Sequence, residues 1–304
     1  MKKLSIILIL CSYTTWLSSQ VVEQGNGTTR IVSSRQSKNT SNDKEEAFDV
    51  SIRCYYTFTQ ANKATGKIIR IDTMALLIGN NQSKFYNPAK YARDSTFVSI
   101  MQTLNPSTIR SISVMKDANI GDLSDGPGET SSTDSNDGES YQIIKDRNTN
   151  SLSYVDYVGM QSDTYGYDDK LKLSWQINQD TTSILGYPCL KATVDFRGRT
   201  YTAWFSTDIP INDGPWKFMG LPGLILKISD TNNLFRFEMI GVENIAESTS
   251  IRIPKIKYEC NRKQFEGMKK KQSGGMQINI NGGNIIIAQS PGNYNYNPIE
   301  LDLN

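Results

Sequence analysis

The chain has 304 residues, with 33 Lys and Arg against 31 Asp and Glu and no histidine. A net charge of +2 leaves no electrostatic footprint for nucleic acid. Without an imidazole there is no Ser-His-Asp or Cys-His nucleophile system, no HExxH zinc site and no histidine general base. An apolar content of 38% with 15 tyrosines suits a β-rich chain with much polar loop, and the length admits one large or two small domains.

Met1-Lys2-Lys3 is a basic start, Leu4 to Leu10 a short apolar run, and Ser18-Ser19 supplies small residues before Gln20. This predicts a secretory signal peptide over residues 1–19. Leu8-Ile9-Leu10-Cys11 also admits a lipoprotein reading with Cys11 acylated, although Leu10 is bulky for that motif. No later stretch reaches about 18 apolar residues, so no transmembrane span is expected. Cys54, Cys189 and Cys260 remain after cleavage. Export implies an oxidising compartment, where one bridge and one free thiol are open to them, with the pairing unspecified. No CxxC or other metal-ligand spacing occurs, so neither metal nor cofactor is expected.

Residues 20–46 are polar and aperiodic and read as a linker, followed by a single β-rich domain over 47–304. Val50, Ile52, Cys54, Tyr56 and Phe58 alternate with polar neighbours, a half-buried strand, and a second strand is expected over 68–78. Asn87-Pro88 opens a helix in which Phe97, Ile100, Met101 and Leu104 follow core-facing spacing, and Asn105-Pro106 ends it. Residues 117–139 carry seven acidic residues, no Lys or Arg, and much Gly and Ser; they lack EF-hand spacing and read as a solvated, disordered insertion. Strands are expected near 141–146, 152–158, 170–177, 189–196, 199–206, 223–229, 234–241 and 251–258. The basic run from Lys255 to Lys271 reads as a solvated face. Residues 272–296 are rich in Gly, Asn and Gln, and Ile299, Leu301 and Leu303 suggest a closing strand.

Two hairpins can be registered by arithmetic. A two-residue turn at Arg197-Gly198 sets Val194 against Tyr201, Ala192 against Ala203 and Leu190 against Phe205 on one apolar face. Thr193 with Thr202 and Lys191 with Trp204 lie on the other. In the second hairpin a four-residue loop sets Lys227 against Glu238, whereas a two-residue loop would oppose it to Arg236; the former is preferred.

Between the hairpins lies the segment from Asp208 to Ile225, dense in Gly, Pro and large apolar residues. Pro222-Gly223 fits the centre of a type II turn, and Asp213-Gly214-Pro215 a second corner. Trp216, Phe218, Met219 and Leu221 are too apolar for an ordinary exposed loop. Gly220-Leu221-Pro222-Gly223-Leu224-Ile225 resembles the signature of the GLPGLI family of exported Bacteroidota proteins. Tyr201 to Phe205, Asp213 to Phe218, Gly186 to Cys189, Ile78-Gly79, Ser83 to Tyr86 and Asn297 to Leu301 are similar to that family too, so the resemblance spans about residues 48–304. It implies an exported protein of the periplasm or outer membrane and carries no activity with it. The succession of hairpins is similar to lipoprotein-carrier-like folds, which implies a curved antiparallel sheet or half-open barrel with one or two short helices.

The motif then has two readings. Its rings plug the open end of a curved sheet, or they gate an apolar pocket. On the second reading Trp204, Trp216, Phe218, Met219 and Leu221 bind a lipid, a lipoprotein or another apolar ligand. Asp213, Gly214, Pro215, Gly220, Pro222 and Gly223 then shape the loop. An alternative role is a structural or assembly partner of an outer-envelope transport or surface complex. Asp208, Asp213 and Asp230 are the carboxylates near the motif, and with no base, metal set or nucleophile beside them the expectation is a protein that is not an enzyme.

Overall fold

A computed structural model describes residues 20–25, 28–33, 46–103, 111–116, 129–133, 138–157, 164–271, 276–281, 284–289 and 298–301. In chain order the strands are β1 (Gln20–Gly25), β2 (Thr28–Ser33), β3 (Ala47–Ala61), β4 (Ile68–Gly79), β5 (Gln82–Tyr86), β6 (Ser111–Lys116), β7 (Glu129–Thr133), β8 (Gln142–Asp146) and β9 (Ser151–Tyr157). They continue with β10 (Thr164–Lys170), β11 (Gln176–Ile184), β12 (Tyr187–Phe196), β13 (Arg199–Ser206), β14 (Leu224–Asp230), β15 (Phe235–Arg252), β16 (Tyr258–Glu259), β17 (Met276–Asn281) and β18 (Asn284–Gln289). The helices are α1 (Pro88–Thr103) and α2 (Arg262–Lys271). Neither is long and apolar enough to cross a membrane.

Twelve strands form one open, curved sheet in the order β11-β12-β13-β14-β15-β3-β4-β5-β8-β9-β10-β16. All its pairings are antiparallel except that of β10 with β16. The mainly β architecture agrees with the sequence pattern, and the sheet does not close into a barrel. The first hairpin has the expected register, Val194 opposite Tyr201 and Leu190 opposite Phe205. Arg197 (φ 49°) and Gly198 (φ 81°) supply the two left-handed residues a tight hairpin turn needs. In the second hairpin Lys227 faces Glu238 and the two side chains pair at 3.3 Å.

One face of the sheet carries the core. Phe58 stacks on Phe237 at 4.7 Å between ring centroids, and Phe85 meets Phe237 edge-on. Each such ring, buried fully, contributes on the order of 2–3 kcal/mol. The core runs without a break from β12 and β13, through β14, β15, β3 and β4, to β8 and β9. It ends on Leu171, with Leu173 and Trp175 packed against it.

Several elements differ from the sequence expectation. The strand expected over 170–177 is divided: β10 ends at Lys170, β11 begins at Gln176, and the alternating Leu171, Leu173 and Trp175 between them pack on the core without a ladder. The polar linker contains a hairpin, β1 paired with β2. Within the acidic stretch, Glu129–Thr133 pairs with β17 in a four-stranded sheet, β6-β18-β17-β7, and residues 276–289 of the Gly/Asn-rich stretch supply two of its strands. Residues 117–128 and 134–137 lie outside the described residues, as do the signal peptide and Cys11. The basic run folds in part as α2, with Phe265 only 1% exposed. Residues 298–301 form no strand, but the Leu301 amide donates to the Arg197 carbonyl at 2.9 Å and Arg199 holds the Ile299 carbonyl at 2.8 Å. Cys54, Cys189 and Cys260 are all unbridged.

Candidate functional site: the motif loop and the cavity beneath it

The chain from β13 to β14 contains neither helix nor strand, and its backbone is pinned to itself. The Leu224 amide donates to the Ile209 carbonyl and the Ile225 amide to the Asp213 carbonyl, each at 3.0 Å. The Gly220 amide reaches the Asn212 carbonyl at 3.2 Å. The left-handed positions are Trp216 (φ 53°) and Gly220 (φ 94°), not Gly223. The expected type II turn at Pro222-Gly223 is therefore not formed. Gly223 is required for closeness instead: a Cβ there would strike the Ser206 carbonyl oxygen. A Cβ on Gly214 would lie 2.8 Å from that of Ile225.

Two charged side chains of this loop reach the far half of the sheet. Asp213 is fully buried and bonds the equally buried Lys145 of β8. Lys145 Nζ also donates to the Gly214 carbonyl at 2.5 Å. Arg147 completes the group, 3.3 Å from Asp213 Oδ2 and 2.6 Å from the Gly79 carbonyl. Burial pushes the Lys145 ammonium down from its ordinary pKa, and the Asp213 charge opposes that shift. Asp213 Oδ1 also accepts the Gly214 amide at 2.7 Å, so the same carboxylate holds its own corner and ties the loop to β8.

Lys217 is the second anchor. Its Nζ donates to Tyr167 Oη at 2.9 Å and to Glu300 Oε1 at 2.5 Å. It lies 5.1 Å from the ring centroids of Tyr154, Tyr167 and Trp216. Burial lowers its pKa as well, with Glu300 opposing. Glu300 also receives Arg197 at 3.2 Å and Arg262 at 3.3 Å, and Arg197 holds Asp169 of β10 at 2.6 Å. The turn of the first hairpin, β10, α2 and the segment 298–301 therefore meet around Lys217. A cation caged by rings and a carboxylate in a dry setting is held far more firmly than a surface pair.

The apolar motif residues face the near half. Trp216, Phe218, Met219 and Leu221 are each at most 2% exposed. Phe218 packs on Tyr201 at 4.7 Å and Trp216 at 5.2 Å, and Trp216 meets Phe196 edge-on. The Trp175 indole donates to the Met219 carbonyl at 2.9 Å. Trp204, grouped with these residues on sequence, lies on the opposite face of β13, its ring 6.0 Å from Lys191 Nζ. Asp230 ends β14, buried, and accepts the Phe235 amide at 2.8 Å.

Beneath Lys217 is a cavity of about 70 Å³, walled by Tyr141, Tyr154, Tyr167, Phe235 and Phe265 and by the polar ends of Glu139, Glu266, Lys269 and Glu300. Two of its polar atoms, Tyr141 Oη and Glu266 Oε2, are buried with no hydrogen-bond partner. Burial and then the neighbouring Glu300 charge push the Glu266 carboxyl up to about 7. Glu300 was marked only within the stretch Asn297 to Leu301 and Phe235 only as a strand residue, while Tyr154, Tyr167 and Phe265 did not stand out in the sequence. A lone lysine in the apolar strand Gln142-Ile143-Ile144-Lys145 was the available signal for the Asp213 site. Phe265 and Met268 amid lysines were the signal for α2. Among the described residues no group of three or more Cys, Asp or Glu is placed to hold a metal.

Residues 197–227, from the first hairpin turn through the motif to Lys227, match the profile of a family described as a protein of unknown function, Porph_ging. No curated protein matches the chain in sequence. Among solved structures it is similar to PNGF-II in two crystal forms, each at 15% identity over 73% of this chain, with TM-scores of 0.47 and 0.46. The chain spans about a third of the length of those structures, 34% and 33%.

Proposed function

We propose that the chain is an exported, non-catalytic protein of the cell envelope, a member of the GLPGLI family, that serves as a structural or assembly partner through the outside of its sheet. The observation that carries this reading is where the motif's apolar surface goes. Its rings are consumed by the core, with Phe218 fully buried. The adjoining cavity of about 70 Å³ is smaller than the roughly 150 Å³ that holds a benzene, and an acyl chain is larger still. Apolar side chains that stay in water lie elsewhere. Leu185 and Ile240, each about half exposed, flank a groove of about 310 Å³ on the outer face with Arg236, Glu238, Thr57 and Thr59. Ile240 follows Arg236 and Glu238 on the outer face of β15, next to the bulge between Met239 and Gly241. Ile68, Ile69 and Ile71 are also exposed on β4. Solvated apolar groups rimmed by charge suit a protein partner.

Native mass spectrometry of protein purified from its own envelope, followed by lipid extraction, tests the proposal. The expected result is a complex with a second protein that is lost in the Ile240→Lys variant. A lipid carried by the isolated chain would overturn it in favour of an apolar-ligand carrier.

A further inference from the structure

We infer that the cavity beneath Lys217 accepts a primary alkylammonium group, held between the Glu266 carboxylate and the Tyr141 phenol. This goes beyond the assembly role and does not rest on it. The first ground is charge matching. Each neighbouring carboxylate already has its cation: Glu139 has Arg70, Asp156 has Lys269 at 2.8 Å, and Glu300 has Lys217, Arg197 and Arg262. Among the described residues Glu266 alone of these acids has no ion pair. The second ground is hydrogen bonding. Tyr141 is 3% exposed, and its hydroxyl, like Glu266 Oε2, has no partner. Burying such atoms unpaired is costly, so a guest that satisfies both is favoured. An ionised Glu266 only accepts, so the guest must donate. The walls of Tyr154 and Phe265 offer aromatic surface to the methylenes behind a charged head. The space takes about two water-sized groups, enough for an ammonium and its first methylene.

Glu266 faces Glu300 from the segment 298–301, Lys217 from the motif loop, Lys269 from its own helix, Asp156 from β9 and Tyr167 from β10. With its carboxyl pushed up to about 7, the ionised fraction rises roughly tenfold between pH 6 and pH 8. Binding of a cation should tighten by a similar factor.

The test is an NMR titration of the full chain at both pH values, following the Trp216 indole signal, with ethylammonium chloride, a capped Gly-Lys-Gly peptide and neutral propanol. The expected result is a saturable shift with an amine, roughly tenfold tighter at pH 8 than at pH 6, and absent with propanol. The tighter of the two amines tells whether the source is a small molecule or a lysine end. In Glu266→Gln, which should fold because it removes only a buried charge, amine binding falls at least tenfold and its pH dependence disappears. Equal, unsaturable shifts for amines and propanol, or amine binding unchanged in Glu266→Gln, would overturn the proposal and leave a cavity filled by water.

Discussion

Lys145 and Asp213, 68 residues apart in the chain, are bonded to each other with neither side chain exposed to solvent. The pair joins β8, on one half of the curved sheet, to the loop that packs its rings against β12 and β13 on the other half. Removing Asp213 leaves the buried Lys145 beside Arg147 with no carboxylate, which costs about 3–5 kcal/mol, whereas removing Lys145 leaves Asp213 its Arg147 contact at 3.3 Å and costs less. Asp213→Asn should destabilise by the larger amount and Lys145→Met by less, because Arg147 still faces Asp213. The double variant should recover at least about 2 kcal/mol of the summed loss in urea unfolding.

Two glycines of the motif should differ in the way they fail. Gly220→Ala keeps open space but forces a side chain into φ 94°, so a loss of about 1–2 kcal/mol is expected. Gly223→Ala drives a Cβ into the Ser206 backbone, which must move with β13, and the loss should be larger. Paired thermal melts read the order directly.

Stability should fall as pH rises through the titration of Glu266. Its carboxyl is raised in the folded chain to about 7 from an ordinary value near 4.5, so over that window the folded state binds more protons than the unfolded state. The contribution is complete below about pH 4.5, declines with rising pH and is gone above about pH 7, with a total on the order of 3 kcal/mol. The difference in unfolding free energy between the native chain and Glu266→Gln should follow that curve.

Burial pushes the Cys54 thiol up to about 12 and the Cys260 thiol up to about 11. Neither forms appreciable thiolate at pH 8. Alkylation of the native protein should leave Cys54 unmodified, and non-reducing denaturation should expose Cys54, Cys189 and Cys260 as three free thiols by peptide mass spectrometry.

Local pattern carried much of the fold. Strict alternation fixed β3 and the faces of β12 and β13, and a like-charge clash between Lys227 and Arg236 decided a loop length because cross-strand neighbours are a near-range property. The failures are equally physical. Leu171, Leu173 and Trp175 alternate like a strand, yet they extend across the core without a ladder partner. β11 was blurred because almost every residue in it is exposed, so it has no apolar face to betray it. Lysines concealed the apolar side of α2. Lys145 with Asp213 and Lys217 with Glu300 are 68 and 83 residues apart, and no window of sequence contains either pair. The motif's apolar residues were legible as unusual, but the sequence alone did not decide between plug and gate.

Native-state hydrogen exchange of the Phe218, Gly220, Leu224 and Ile225 amides separates those two states most directly. All four are hydrogen-bonded within the loop. If the loop is a clasp between the halves of the sheet, these amides exchange only through global unfolding, with the same free energy as the amides of β13 and of the rest of β14. Exchange several kcal/mol easier than in those strands, through a local opening of residues 213–223, would contradict the clasp and restore the gate.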